Sequence, residues 1–325
     1  MATALAALMS LPSIAFAPHP TPVDELLRLR ARLGPACPRI FVKRDDLLSF
    51  AMGGNKVRKM QAVAAEALAA RADTLITCGG MQSNHARVTA AAGAALGLPV
   101  ILVLNGEPPE RLTANALLDR LFGADIRYVA TRADRAPAME AAADELRRSG
   151  GRPFIVPLGA STATGALGFA RGVAEIAASS VRPDVIVTST SSGGTQAGLI
   201  AGAALFGIRT RIVGISADDP SASLQIVVRD LLQQMADRLG AKASTTGADA
   251  EIEVDDDCVG EGYGVPTPAS NEAMEIVART EGIVLDPVYT SKAFAGLLAR
   301  IRRGDFGPDQ TVLFWHTGGQ VGLFR

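Results

Sequence analysis

Lysine is the basic side chain that can give up its proton and form an imine with a carbonyl, and this chain carries only five: Lys43, Lys56, Lys59, Lys242 and Lys292. The rest of its 32 basic residues are arginine, a bias that genome composition alone can produce. Two of the five fall together in Met52-Gly53-Gly54-Asn55-Lys56-Val57-Arg58-Lys59, behind two glycines, where Asn55 reads as the N-cap of a helix. Lysine in a first turn opposes the helix dipole, so Lys56 at that positive end should lose its proton more easily, as an imine-forming amine must. Lys59, three residues on, is placed to meet an anion held nearby; a solvent-exposed basic turn is the plainer alternative.

Ser191-Ser192-Gly193-Gly194-Thr195-Gln196 follows an apolar strand and opens a helix. Glycines there let backbone N–H groups approach a ligand, and the helix start adds unpaired donors, which suits a phosphate monoester. An ordinary Ser-capped turn is the other reading. Ser83-Asn84-His85 opens a second helix, with Ser83 a plausible N-cap or part of a carboxylate or phenolate site. Tyr263 and Tyr289 lie in Gly- and Pro-flanked settings, fit to stack on a flat ligand, to donate a proton, or simply to pack under a loop.

These residues need elements to hold them. Strands are expected at Thr74–Cys78, Val100–Leu104, Ile126–Val129, Phe154–Pro157, Val185–Thr188, Arg211–Ile215 and Val312–Trp315. Helical patterns lie between them at 55–71, 84–97, 111–122, 134–149, 163–179, 194–206, 220–239, 267–281 and 290–303. Such alternation predicts parallel sheets covered by helices on both faces, with ligands at the strand carboxyl ends. The polar loops that follow strands, including His316-Thr317-Gly318-Gly319, sit at those ends. Asp249–Gly264 is the least regular stretch.

Length and composition narrow the field. A chain of 325 residues suggests two domains, and 48% apolar content can fill sizeable cores. A net charge of −1 without a basic stripe argues against nucleic acid as partner. Cys37, Cys78 and Cys258 form no paired motif, which fits a reducing compartment. With only His19, His85 and His316, a three-histidine metal site is not expected. The apolar start MATALAALMSLPSIAFAPHP imitates a secretory signal, but its first basic residue is Arg28 and prolines interrupt it. No run approaches a membrane span, so a cytoplasmic protein is expected. Dinucleotide, P-loop, zincin and nucleophile-elbow motifs are all absent.

Taken in order, Thr21-Pro22, Val42-Lys43-Arg44-Asp45-Asp46, Gly53-Gly54-Asn55-Lys56, Gln82-Ser83-Asn84-His85, Gly165-Ala166-Leu167-Gly168, Gly262-Tyr263-Gly264, Leu285–Tyr289 and His316-Thr317-Gly318-Gly319 carry a family resemblance. The chain resembles the D-cysteine desulfhydrases and 1-aminocyclopropane-1-carboxylate (ACC) deaminases, fold type II pyridoxal-phosphate enzymes. The resemblance spans all but about the first 8 residues. It implies an α/β fold with two open, parallel-rich sheets and the cofactor between a large domain (1–68 plus 169–325) and a small one (69–168). It also implies a homodimer acting on a small amino acid.

Carried over by position, the resemblance gives Lys56 the covalent bond to pyridoxal 5'-phosphate and removal of the substrate α-proton. Lys59 and the Ser192-Gly193-Gly194-Thr195 backbone would hold the phosphate. Asn84 would bond the phenolic oxygen, and Ser83, Asn84 and His85 would receive the substrate, with Ser83 and His85 at its carboxylate. Tyr289 would stand by the ring and Tyr263 by the leaving group. Thr317 would meet the pyridine nitrogen as an uncharged partner, a moderate electron sink suited to elimination. ACC deaminases typically carry Glu after the tyrosine at 289 and Leu at 317; Thr290 and Thr317 here follow the desulfhydrase pattern. The expected reaction is α,β-elimination, D-cysteine giving pyruvate, ammonia and hydrogen sulfide. L-cysteate, D-serine or 3-chloroalanine lysis and ACC deamination are the alternatives, and an exported, non-catalytic small-anion binding protein is the rival from another class. Residues 217–250, with Ser216-Ala217-Asp218-Asp219 at their edge, match no motif of the family.

Overall fold

A computed structural model describes all 325 residues. Its strands in chain order are β1 (Val23–Glu25), β2 (Arg39–Arg44), β3 (Thr74–Gly80), β4 (Val100–Asn105), β5 (Asp125–Val129), β6 (Pro153–Val156), β7 (Val185–Thr190), β8 (Arg211–Ser216), β9 (Glu253–Asp255) and β10 (Thr311–His316). The helices are α1 (Ala2–Ser10), α2 (Leu27–Leu33), α3 (Asn55–Ala69), α4 (Asn84–Leu96), α5 (Ala114–Leu121), α6 (Arg135–Arg148), α7 (Ala163–Ala170), α8 (Val173–Ala178), α9 (Gly194–Phe206), α10 (Ser221–Arg238), α11 (Ala243–Thr246), α12 (Pro268–Glu281) and α13 (Thr290–Arg303).

Two sheets result. One runs β1-β2-β10-β7-β8-β9, parallel except for the antiparallel edge strand β1; the other runs β5-β4-β3-β6, wholly parallel. The central strands carry consecutive buried residues because helices cover both faces. Val185, Val187, Phe314 and Phe294 fill one side of the larger sheet, while Ile186, Leu313, Trp315 and Phe169 fill the other. Leu75 and Leu102 face one side of the smaller sheet, and Ile76 and Val103 face the other. Helix α3 and α7 pack between the two sheets, so the start of α3 faces the cleft that separates them.

Some expectations are corrected. The helix expected over 163–179 is broken at Arg171-Gly172, where a Cβ on Gly172 would lie 3.0 Å from the Arg58 guanidinium. Strands β1, β2 and β9 were not anticipated: β1 and β9 are three residues each, and β2 hides Ile40-Phe41-Val42 between charged ends. The apolar start forms α1, which buries Ala4 and Leu8 against α7, α9 and α10. No helix is long and apolar enough to cross a membrane.

Register places the site. Trp315 pairs with Lys43 on one side and Thr188 on the other, so the chain leaving β10 emerges beside the end of β7. Beneath it lies a buried ionic cluster. Arg58 bonds Asp45 through two nitrogens, each at 2.7 Å, and Glu175 at 2.6 Å; Trp315 Nε1 donates to Asp45 at 2.7 Å, and Lys43 donates to Glu175 and Thr21. That cluster ties α3, β2, β10 and α8 into one floor.

Candidate active site

The start of α3 is fixed by backbone that no other residue type fits. Gly53 and Gly54 sit at φ +74° and +101°, and a Cβ on Gly54 would lie 2.8 Å from Thr317 O. The Asn55 N–H donates to Thr317 O at 3.1 Å. Asn55 is not the N-cap; Gly54 is, and the Asn55 side chain donates instead to Thr195 Oγ1 at 2.7 Å. The lysine segment, the Thr317 turn and the Thr195 helix start are thereby sewn together, which the capping rule alone does not foresee.

They enclose a cavity of about 310 Å³ lined by 22 residues, only three of them hydrophobic. Lys56 lines it as the second residue of α3. Burial, then the positive charge of Arg87, lower the Lys56 pKa from 10.5 to about 8 against the pull of Asp286. Its amine is thus far closer to neutral at physiological pH than a surface lysine. Arg87 itself is pinned by Asn84 Oδ1 at 2.9 Å, Asn115 Oδ1 at 2.7 Å and Gly53 O at 3.0 Å.

Ser83, Asn84 and His85 line the cavity at the start of α4. Ser83 caps the helix, accepting from Ala86 N at 3.2 Å. Asn84 Oδ1 accepts from Arg87 and from Asn115, which leaves its amide nitrogen to donate into the cavity. Thr77 Oγ1 donates to Val156 O, so it must accept from His85 Nε2 at 2.7 Å. Burial, then Lys56 and Lys59, depress the His85 pKa, so the ring is neutral and Nδ1 is a bare acceptor. With Nε2 donating to Thr77, the imidazole presents an acceptor, and the backbone N–H groups of the first α4 turn stand beside it as donors.

On the large-sheet side, Ser192, Gly193 and Thr195 line the cavity, with Gly193 at φ +74° turning the chain into α9. Gly194 and Lys59 do not line it. A Cβ on Gly194 would lie 2.8 Å from Lys59 Nζ, so the lysine stands directly behind the turn, bonded to Gly159 O at 3.2 Å and Ser161 Oγ at 3.1 Å. The Thr190 hydroxyl beside it is buried without a partner. Thr317 Oγ1 lies 3.0 Å from Ser189 Oγ at the end of β7, both lining the cavity. The Tyr263 and Tyr289 hydroxyls meet at 2.6 Å. Burial raises both phenol pKa values, most for Tyr289, so both are protonated at neutral pH.

Sequence reasoning missed several residues. Asp286 accepts from the N–H groups of Val288, Tyr289 and Thr290 and from the Thr290 hydroxyl, setting the pose of Tyr289. An Asp four residues ahead of Thr at a helix start was a readable capping signal. Ser189, a polar residue closing an apolar strand, was another. Arg132, Arg135, Asp218 and Asp219 also line the cavity. Nothing local marked the arginines among so many.

The sequence pattern of pyridoxal-phosphate dependent enzymes matches residues 14–318. The chain belongs to that family. An ACC deaminase homologue of known structure is 36% identical over 100% of this chain and 97% of its own, with a TM-score of 0.91. The processed form of threonine deaminase isoform 2 from Solanum lycopersicum shares the fold at 16% identity and TM-score 0.71, over 97% of this chain and 83% of that one. A fungal L-serine ammonia-lyase from Rhizomucor miehei does so at 18% and 0.66, over 92% and 93%. The architecture is fold type II.

The pyridoxal phosphate cofactor fits what is present. A half-buried amine of lowered pKa, a helix-start turn with a lysine behind it, a free amide donor on Asn84 and the Ser189–Thr317 hydroxyl pair would suit an aldehyde, a phosphate, a phenolic oxygen and a ring nitrogen in turn. The orphaned Thr190 hydroxyl gains a use beside the phosphate turn.

Proposed function

We propose that the protein catalyses α,β-elimination on a small β-substituted amino acid, D-cysteine foremost, yielding pyruvate, ammonia and hydrogen sulfide. The observation that carries this reading is Lys56, a half-buried amine with a pKa of about 8 in the wall of a polar cavity. When bound, pyridoxal phosphate supplies an electron sink for the pair left as the α-proton departs. Lys56 holds the cofactor, and its Nζ then receives that proton. The N–H groups at the start of α4, with Ser83, orient the carboxylate; the Asn84 amide fixes the phenolic oxygen. Lys59 and the Ser192–Thr195 backbone anchor the phosphate. The Cβ–S bond breaks with its electron pair on sulfur, and the Tyr263 phenol, protonated at neutral pH, donates to it. Water converts the released enamine to pyruvate and ammonia.

The ring nitrogen would meet the uncharged Thr317–Ser189 pair. Thr290 turns its hydroxyl to Asp286 at 2.7 Å and does not line the cavity, so position 290 supplies no carboxylate to assist ring opening. The rival is nonetheless ACC deamination, favoured by the 36% identical structure described as an ACC deaminase homologue. The same reading, on the family resemblance, has the chain working as a cytoplasmic homodimer with residues 69–168 as its small domain.

The test is a panel of both enantiomers of cysteine, serine and cysteate, with 3-chloroalanine and ACC, scored by keto-acid release. Pyruvate and sulfide from D-cysteine are expected. Release of 2-oxobutyrate from ACC with no turnover of cysteine would overturn the choice.

A further inference from the structure

Two cationic side chains in the cavity have no role in the reaction as described. Arg135, the first residue of α6, is 9% exposed. Its guanidinium donates through Nε to Asn105 Oδ1 at 2.9 Å and through a second nitrogen to the same oxygen, and it pairs with no Asp or Glu. A buried cation answered only by a neutral amide leaves donors without an anion, an arrangement that is costly unless an anion arrives.

Arg132, three residues earlier, is half exposed and stands at the rim, its guanidinium carbon 4.9 Å from the centre of the Tyr263 ring. Its one carboxylate neighbour, Asp218, is 3.9 Å away and is held by the Ser191 hydroxyl at 3.2 Å. Burial and the adjacent Asp219 raise the Asp218 pKa, which weakens it as a competing anion. Gly80 shows how close the cations come to the leaving-group side. A Cβ there would lie 3.8 Å from Tyr263 Cε1 and 4.0 Å from an Arg135 nitrogen, so bare backbone keeps the space between phenol and guanidinium open.

We propose that Arg135, with Arg132 at the rim, is a specificity-determining residue that lets the site take, beyond D-cysteine, amino acids whose β-substituent is a negatively charged oxyanion. The inference rests on the elimination reading above and widens its substrate class. A sulfonate, sulfate or phosphate presents paired oxygens to the guanidinium fork, which a hydroxyl or halide cannot. With cysteate the Cβ–S bond breaks, its electron pair leaves on sulfur as sulfite, and the α-proton passes to Lys56. No oxidant or reductant is needed. The α-carboxylate is served by the start of α4, which frees the arginines for the other end of the substrate.

The experiment compares kcat/KM for cysteate and O-phosphoserine, each as both enantiomers, with kcat/KM for 3-chloroalanine, in the cofactor-loaded wild type, Arg135→Gln and Arg135→Lys. The ratio of the better oxyanion substrate to 3-chloroalanine should fall at least tenfold in Arg135→Gln, the effect of losing a charge-assisted hydrogen bond, and less in Arg135→Lys. Methanesulfonate should bind the wild type by calorimetry and bind Arg135→Gln at least tenfold more weakly. An unchanged ratio refutes the assignment. So does a parallel fall for all substrates, which would mark Arg135 as a carboxylate clamp or a structural residue. Wild type that turns over 3-chloroalanine but neither oxyanion substrate sinks this inference alone, whereas no pyruvate from any substrate sinks the elimination reading with it. Should Arg135→Gln not fold, Arg132→Gln, altered at an exposed position, is read by the same ratio and the same binding.

Discussion

Replacing Lys56 by methionine should stabilise the cofactor-free protein near neutrality and do nothing of the kind in alkali. The wild-type lysine is half-buried in the cavity wall, and desolvation with the Arg87 charge brings its pKa from 10.5 to about 8. That difference is worth about 3 kcal/mol between charged and neutral amine. Between pH 8 and 10.5 the unfolded chain binds a proton at this site that the folded chain has released, so wild-type stability rises with pH across that window. Below pH 8 the folded state bears the full cost; above 10.5 it bears none. Methionine has similar volume and no charge, so it escapes the cost at every pH. The variant should therefore exceed wild type by about 3 kcal/mol at pH 7 and by less than about 1 kcal/mol at pH 10. Urea unfolding of both cofactor-free proteins reads this out through Trp315, the single tryptophan and fully buried. Titrating groups away from Lys56 are common to both proteins and cancel in the difference, while Lys59 and His85, whose pKa values its charge lowers, move upward in the variant. Equal stability at pH 7, or a gain that does not change with pH, would refute the claim that Lys56 is held partly neutral by its surroundings.

Other outcomes follow from the same contacts. Gly54→Ala sets a Cβ 2.8 Å from Thr317 O at φ +101°, so it should cost on the order of 1–3 kcal/mol and weaken the visible cofactor absorbance; a normal spectrum and melting temperature would count against the described junction. Thr317→Val removes the 3.0 Å hydroxyl pair with Ser189 and should lower kcat about tenfold or more while borohydride still fixes cofactor at Lys56; an unchanged kcat would leave that pair without function. Glu175→Gln should cost about 3 kcal/mol or more by leaving buried Lys43 without its carboxylate and Arg58 with Asp45 alone, measured by urea unfolding. Burial works to raise the Glu175 pKa, but bonds from His19, Arg58 and Lys43 hold it well below the ordinary 4.5. That contribution is present above pH 4.5 and lost as pH falls further, so the gap between wild type and variant should close in acid.

Much of this site could be read in the sequence because its parts are local. Gly53-Gly54 before Lys56 and Ser192-Gly193-Gly194 after β7 are backbone devices whose purpose shows in a few consecutive residues. The long parallel strands were legible for the same reason, each holding five or more consecutive buried residues around an apolar stretch. What escaped depends on distant chain. Asn55 looks like a cap until Gly54 takes that place and Thr195 arrives from 140 residues away to claim its amide. Nothing in the sequence shows that the His85 ring is engaged by Thr77. Arg135 was one arginine among many, and only burial without an acidic partner sets it apart.

The central claim, that Lys56 holds pyridoxal phosphate and moves the α-proton, is tested most directly by borohydride reduction of the loaded protein followed by peptide mapping, together with turnover of Lys56→Ala. The account predicts reduced cofactor on the peptide containing Lys56 and, in Lys56→Ala, neither fixed cofactor nor keto-acid release. Cofactor found on Lys43, Lys59, Lys242 or Lys292, or a Lys56→Ala protein that still turns over substrate, would contradict it.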